Sequence, residues 1–288
     1  MTPGAAAVSF GPCGPEVVTT GHLPIAALVL GRPATDVLET LPRVFNLCRI
    51  AQMTATRLAL GLAANAEAEA EVAGEVIRDH VLKLCILLPR AFGLPVVAIP
   101  RDSLQLMGPD GLPDSLIDLA SWRSPLAASV EAIAARFNPG DAICVPLPAP
   151  PEPLAEGAFE NSAAGRQADH PLLRSVEAKF GRGPLWRYCG LLADLAAALA
   201  GSLPAPAITN GVASVTAARG RYSLSLQQAA GLVTGIARRT PTDHLLAPGG
   251  ALIHSLESLP IGRRHLAGTV VALLDPCIPV TIRENAHA

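Results

Sequence analysis

The chain has 288 residues, 50% of them hydrophobic and 16% charged, with 22 basic against 24 acidic side chains and a formal net charge of −2. At roughly 150 residues per domain, that length makes one large domain or two small ones. The near-balance of charge excludes a polyanion-binding protein or an acidic tail, so no nucleic-acid partner is expected.

No run reaches the roughly 18 uninterrupted apolar residues of a spanning helix, since Pro24, Asp194 or Asp275 breaks the best ones, and no membrane insertion is expected. Residues 1–12 lack a basic stretch ahead of an apolar one. The six cysteines (Cys13, Cys48, Cys85, Cys144, Cys189 and Cys277) are scattered without a CxxC pair. Both features predict a cytoplasmic protein with reduced thiols.

Residues 1–34 are punctuated by Gly and Pro, with extended runs expected at 15–20 and 25–30. A helix is predicted from Thr35-Asp36, with Leu38, Leu41, Val44, Phe45 and Cys48 on its inner face, continuing toward Ala64 with a break or fresh turn at Pro42. Glu67, Glu69, Glu71 and Glu75 open a second helix that runs to Pro89, their charge suiting its N-terminal dipole. Residues 96–99 read as extended. Pro113-Asp114 starts a further helix, broken or restarted at Pro125 and ended by Asn138-Pro139-Gly140.

Five prolines within 145–170 mark a loop or linker. Helix returns over 170–179 and 184–201. The period then switches to two over 212–217, 222–227 and 232–238, which predicts a small antiparallel meander turned at Arg219-Gly220 and Ala230-Gly231. Helices follow over 251–259 and 263–274, and the second ends before Asp275-Pro276, because proline disfavours a helical residue ahead of it. The expected organisation is an N-terminal helical half (1–144) carrying Cys48, the Pro-rich segment (145–170), and a C-terminal half (171–288) packed with the first as one domain. The fold class is helix-rich α+β with a small antiparallel sheet.

No Walker loop, GxGxxG after a strand, HExxH, GxSxG or zinc-type Cys/His spacing is present. Asp275-Pro276-Cys277 is different, because a rigid proline turn presents a thiol beside a carboxylate at a helix end. It resembles the DPCxxC motif of the large subunit of nickel–iron hydrogenases. Ala218-Arg219-Gly220 resembles that family's Pro-Arg-Gly turn, Pro241-Thr242 its Pro-Thr/Ser step, Gly21-His22-Leu23 its Glu-Gly-His-Leu element, and Arg43 to Cys48 its RxCGxC motif. The five pieces fall in family order, while the middle of the chain is much shorter than in the enzyme.

Departures from the family pattern then shape the expected function. Phe45 and Val280 stand where two of the enzyme's four metal-binding cysteines stand, which leaves Cys48 matching a bridging ligand and Cys277 a nickel-only ligand. Two thiolates are too few for the usual nickel site, so no nickel is expected. Thr20 replaces the proton-relaying glutamate, Gln52 a histidine, and Arg283 the histidine at the maturation cleavage site, so the resemblance implies no enzyme activity and no removable tail.

A hydrogenase-like chain stripped of nickel ligands is similar to the HupK family of hydrogenase expression and formation proteins. That resemblance implies a non-catalytic scaffold or chaperone holding the iron-cyanide-carbonyl fragment, with Cys48 and Cys277 on the iron. Arg219 and Thr242 would donate to the cyanides, and the partners would be hydrogenase maturation proteins and the hydrogenase large subunit. His22 takes a supporting role by its family match, and Asp275 is expected to serve the helix end. Two other readings remain: a metal-free protein that mimics the large subunit to bind its accessory proteins, and a remnant enzyme or quinone-site homologue as in respiratory complex I. The first reading requires Cys48 and Cys277, near opposite ends of the chain, to meet at one buried place with Arg219 and Thr242.

Overall fold

The computed structural model describes residues 4–12, 14–21, 24–44 and 47–283. Within them the strands are β1 (Ala5–Gly11), β2 (Gly14–Thr20), β3 (Ala207–Thr209), β4 (Val212–Ala217), β5 (Gly220–Ala229), β6 (Leu232–Arg239) and β7 (Val280–Arg283). The first seven helices are α1 (Ile25–Val29), α2 (Ala34–Val44), α3 (Arg49–Ala59), α4 (Ala68–Leu82), α5 (Leu88–Ala91), α6 (Leu116–Leu119) and α7 (Ala127–Arg136). They are followed by α8 (Ala163–Arg166), α9 (Pro171–Phe180), α10 (Pro184–Leu199), α11 (Pro241–Leu245), α12 (Ala251–Glu257) and α13 (Ala267–Leu274). A π-helical turn, Lys83–Leu87, joins α4 to α5.

Two main hydrophobic clusters organise these elements. The larger gathers α4, α7, α9, α10, α12 and α13 around fully buried Trp186, Tyr188 and Leu192 of α10. That central helix is apolar on nearly every face, as a helix surrounded by others must be. The second cluster packs α1, α2 and α3 on the meander, with Val37, Leu41, Ala51 and Ala55 against Val215, Leu224 and Val233. The meander runs β3-β4-β5-β6, all antiparallel, with a bulge at Gln227/Gln228. A second, three-stranded sheet runs β2-β1-β7. In it β1 pairs antiparallel with β2 and in parallel with β7, joining segments far apart in the chain.

The meander, the extended run at 15–20 and the helices at α4, α9, α10, α12 and α13 form where the sequence places them. Residues 25–30 differ, forming α1 rather than an extended run. Ile25 and Val29, four apart, bury one face, and periodicity cannot separate helix from strand in so short a run. The described part of α2 runs to Val44, and Cys48, expected inside the same helix, is instead the N-cap of α3. Between 113 and 126 only the single turn α6 is helical. β1, β3 and β7 were not expected, since Ala5-Ala6-Ala7 has low strand propensity and only pairing with β2 and β7 makes it a strand.

Residues 145–170 hold α8, which packs closely on α10 at Gly190. A Cβ at Gly190 meets the backbone and side chain of Ala164 below van der Waals distance. Gly190→Ala is therefore expected to cost about 1–3 kcal/mol by overpacking, read as a lower urea midpoint. An unchanged midpoint shows that α8 moves aside freely.

Candidate functional site

The site forms where the two clusters meet. Cys48 comes from the second cluster, as the residue before α3, with φ −143° and ψ 50°. Its backbone turn is fixed from α4: the buried Glu75 carboxylate accepts from the N–H groups of Ile50 (2.8 Å) and Ala51 (3.0 Å). This ties down two of the N–H groups that a helix start leaves without intrahelical partners. Burial raises the Glu75 carboxyl above its usual range, and those two N–H donors oppose the rise.

Cys277 follows α13, a helix of the first cluster. Helix α13 ends on Asp275, which adopts the left-handed conformation (φ 51°) ahead of Pro276. The Cys277 N–H then donates to the Thr242 hydroxyl oxygen at 2.8 Å. Thr242 is itself held in α11, where Thr240 and Asp243 cap each other: the Thr240 N–H donates to Asp243 Oδ2 at 2.7 Å. Thr242→Val leaves the Cys277 N–H without this acceptor and is expected to cost about 1–3 kcal/mol in chemical denaturation. No loss means water takes the place of the hydroxyl.

Arg219 stands on the β4–β5 turn. The turn needs glycine at 220, where φ is +145° and the backbone lies against Asn161. Asn161 brackets the next residue, its Oδ1 accepting from the Arg221 N–H and its Nδ2 donating to the Arg221 carbonyl. The Arg219 guanidinium meets Asp275 Oδ2 through Nε at 3.0 Å and Asp275 Oδ1 through Nη2 at 3.2 Å, with Nη1 3.6 Å from Asp79 Oδ1. Asp275 thus ends α13 as expected, but its carboxylate pairs with cations rather than with backbone.

Cys48, Cys277, Arg219, Thr242, Gln52 and Tyr222 all line one cavity of about 550 Å³. Both cysteines are free of any disulfide, and Cys277 is close enough to bear on the charge of Cys48. Burial pushes the Cys48 thiol up to about 11, against the pull of a hydrogen bond from Gln52 Nε2 to Cys48 Sγ at 3.2 Å. Burial also raises Cys277, opposed by Arg219 and by the Thr242 hydroxyl. Both side chains are therefore thiols in the absence of a soft metal, and a metal that binds them displaces their protons.

The structure brings together all four residues singled out in the sequence. Thr242 does so by accepting from the Cys277 backbone, and Arg219 by a double grip on Asp275. His22 and Phe45 lie outside the described residues. Gln52, Glu75, Asp79, Lys83 and Tyr222 are further members that motif reading did not assign to the site. Among the described residues no group of three or more His, Cys, Asp or Glu is placed to hold a metal ion. No helix among them is long and apolar enough to cross a membrane.

Comparison of the fold with solved structures finds the nickel–iron–selenium hydrogenase of D. vulgaris Hildenborough, with a TM-score of 0.57 at 12% identity, covering 91% of this chain and 93% of that one. An NAD+-reducing nickel–iron hydrogenase gives 0.55 at 15% identity, covering 91% and 92%. The fold is that of nickel–iron hydrogenase large subunits. No family model matches the chain. The hydrogenase expression/formation protein HupK of Rhodobacter capsulatus is 46% identical over 274 residues, 92% of either chain. The chain belongs to the HupK family of hydrogenase expression/formation proteins.

Proposed function

We propose that the protein is a non-catalytic maturation scaffold of the cytoplasm, which holds the iron-cyanide-carbonyl fragment between Cys48 and Cys277 and passes it to a hydrogenase large subunit. The observation that carries this reading is the convergence of the two cysteines on one cavity, with Arg219 and Thr242 beside them. A low-spin iron that brings cyanide and carbonyl as cargo is a soft centre suited to sulfur, so two thiolates are enough to hold it.

The residues divide the task. Cys48 and Cys277 supply the sulfurs. Thr242 fixes the backbone of Cys277, and Arg219 lines the cavity with positive charge that suits anionic cyanides. Gln52 donates to Cys48 Sγ, a bond that strengthens when the sulfur becomes a thiolate. The partners on this reading are the maturation proteins that deliver the fragment and the large subunit that receives it.

The test is infrared spectroscopy with metal analysis on protein purified without oxygen from cells that make the cofactor. The expected result is about one iron per chain together with cyanide and carbonyl bands. Iron-free protein without those bands overturns the reading.

A further inference from the structure

Behind Arg219 lies a charge that motif reading did not assign to the site. The Lys83 side chain is only 4% exposed, at the start of the π-helical turn that follows α4. Its ammonium sits 2.5 Å from Asp79 Oδ2 and in contact with Asp275 Oδ2. Asp79 and Lys83 are one helical turn apart on the same face, so the helix itself aims the ammonium at the Cys277 turn.

The same two carboxylates are the ones that Arg219 grips from the cavity side. Two cations therefore alternate with two carboxylates, and the formal charges balance. Burial alone acts to raise the Asp79 carboxyl, but Lys83 and Arg219 outweigh it and hold the group below the usual carboxylate range. Without Lys83, two carboxylates face one guanidinium. One negative charge is then in excess at a wall of the cavity that Arg219 lines, and the positive field of Arg219 is spent on its neighbours.

We propose that Lys83 is the positioning residue that makes this cradle selective for an anionic ligand: by neutralising Asp79 and Asp275 from behind, it leaves the Arg219 guanidinium to act on the occupant of the cavity. The inference rests on the reading of the cavity as a site for a cyanide-bearing iron fragment. Such a fragment, held by two thiolates, carries net negative charge. A lysine suits the position because its ammonium is a compact point charge that fits between two carboxylates already engaged by a planar guanidinium.

The test compares Lys83→Met, Lys83→Arg, Asp79→Asn and the double variant Asp79→Asn/Lys83→Met. Each full chain is purified without oxygen from cofactor-making cells, with loading read from the infrared bands and folding from thermal denaturation. Lys83→Met is expected to load about tenfold less, the effect of one uncompensated charge near an anion at a partly buried site. Lys83→Arg keeps the charge and should retain most of the loading.

The double variant removes one charge of each sign and is expected to recover loading to within about twofold of the wild type. Asp79→Asn alone leaves positive charge in excess and should load at least as well as the wild type. A purely structural role for the cluster predicts the opposite for both, since each removes a buried partner. Undiminished loading in Lys83→Met, or a double variant no better than it, overturns the inference while leaving the scaffold reading in place. Where Lys83→Met does not fold, Asp79→Asn decides, and a drop in its loading overturns the inference. A wild type without bands overturns the scaffold reading and this inference with it.

Discussion

If the proposed function holds, Cys277→Ala is expected to abolish the cyanide and carbonyl bands and to drop bound iron to background, with little change in melting temperature. The side chain is only partly buried and belongs to neither hydrophobic cluster. Its backbone anchor to Thr242 survives the substitution. On the proposed function one of two sulfurs is lost, and a single thiolate should hold an iron fragment too weakly to survive purification, because the second bond forms at the high effective concentration set by the first. Cys48→Ala is expected to lose the bands in the same way, with a larger drop in melting temperature, because Cys48 packs against the second cluster. Substituting Cys189, buried in α10, is expected to affect stability but not the bands of the folded fraction. Bands that persist in both single variants assign the iron to other residues.

Asp194→Asn has the largest expected effect on stability, a loss of about 3–5 kcal/mol in urea denaturation. Asp194 of α10 is fully buried. It accepts from Arg166 Nε (2.8 Å) and Nη2 (2.6 Å) and from Gln167 Nε2 (2.9 Å), and lies 2.8 Å from His80 Nε2. One carboxylate thus joins α8, the residue after it, α4 and α10. Asparagine offers a single acceptor oxygen and no charge, leaving Arg166 without its counter-ion. A loss below about 1 kcal/mol shows that Arg166 finds another partner.

The same group sets an acid limit. Burial acts to raise the Asp194 carboxyl, but Arg166 and the hydrogen bond with His80 outweigh it and hold the group well below the usual carboxylate range. A carboxyl depressed in the folded state contributes stability that is fully present above its unfolded value of about 3.9. That contribution is lost as pH falls toward the folded value, because the unfolded chain takes up the proton first. Stability of the wild type should therefore drop through this window, and the acid limb should flatten in Asp194→Asn.

How much of this was legible in the sequence depends on how locally each feature is written. The meander is spelled out by its two-residue period and its glycine turns, and Pro171 and Pro184 announce α9 and α10 at their first positions. Cys277, Arg219 and Thr242 sit in short motifs, so each is legible by itself, while their meeting is a property of the fold. β1 and β7 were hidden because each depends on a partner at the far end of the chain, and alanine hardly favours a strand by itself. Glu75, Asp79 and Lys83 left a fainter trace: three charges at four-residue spacing share one helix face. That pattern reads first as a solvated face. Only the tertiary fold turns it inward onto the Cys48 and Cys277 turns, and no motif records it.

The parallel register of Ala6–Ser9 with Val280–Arg283 has a consequence for biosynthesis. The leading strand emerges from the ribosome long before its neighbour exists, so the segment bearing the second sulfur cannot be clamped while translation is under way. Closing so long a loop is entropically slow. On the proposed function, a cradle closed this late would act as a checkpoint, accepting its iron cargo only once synthesis has run past Cys277.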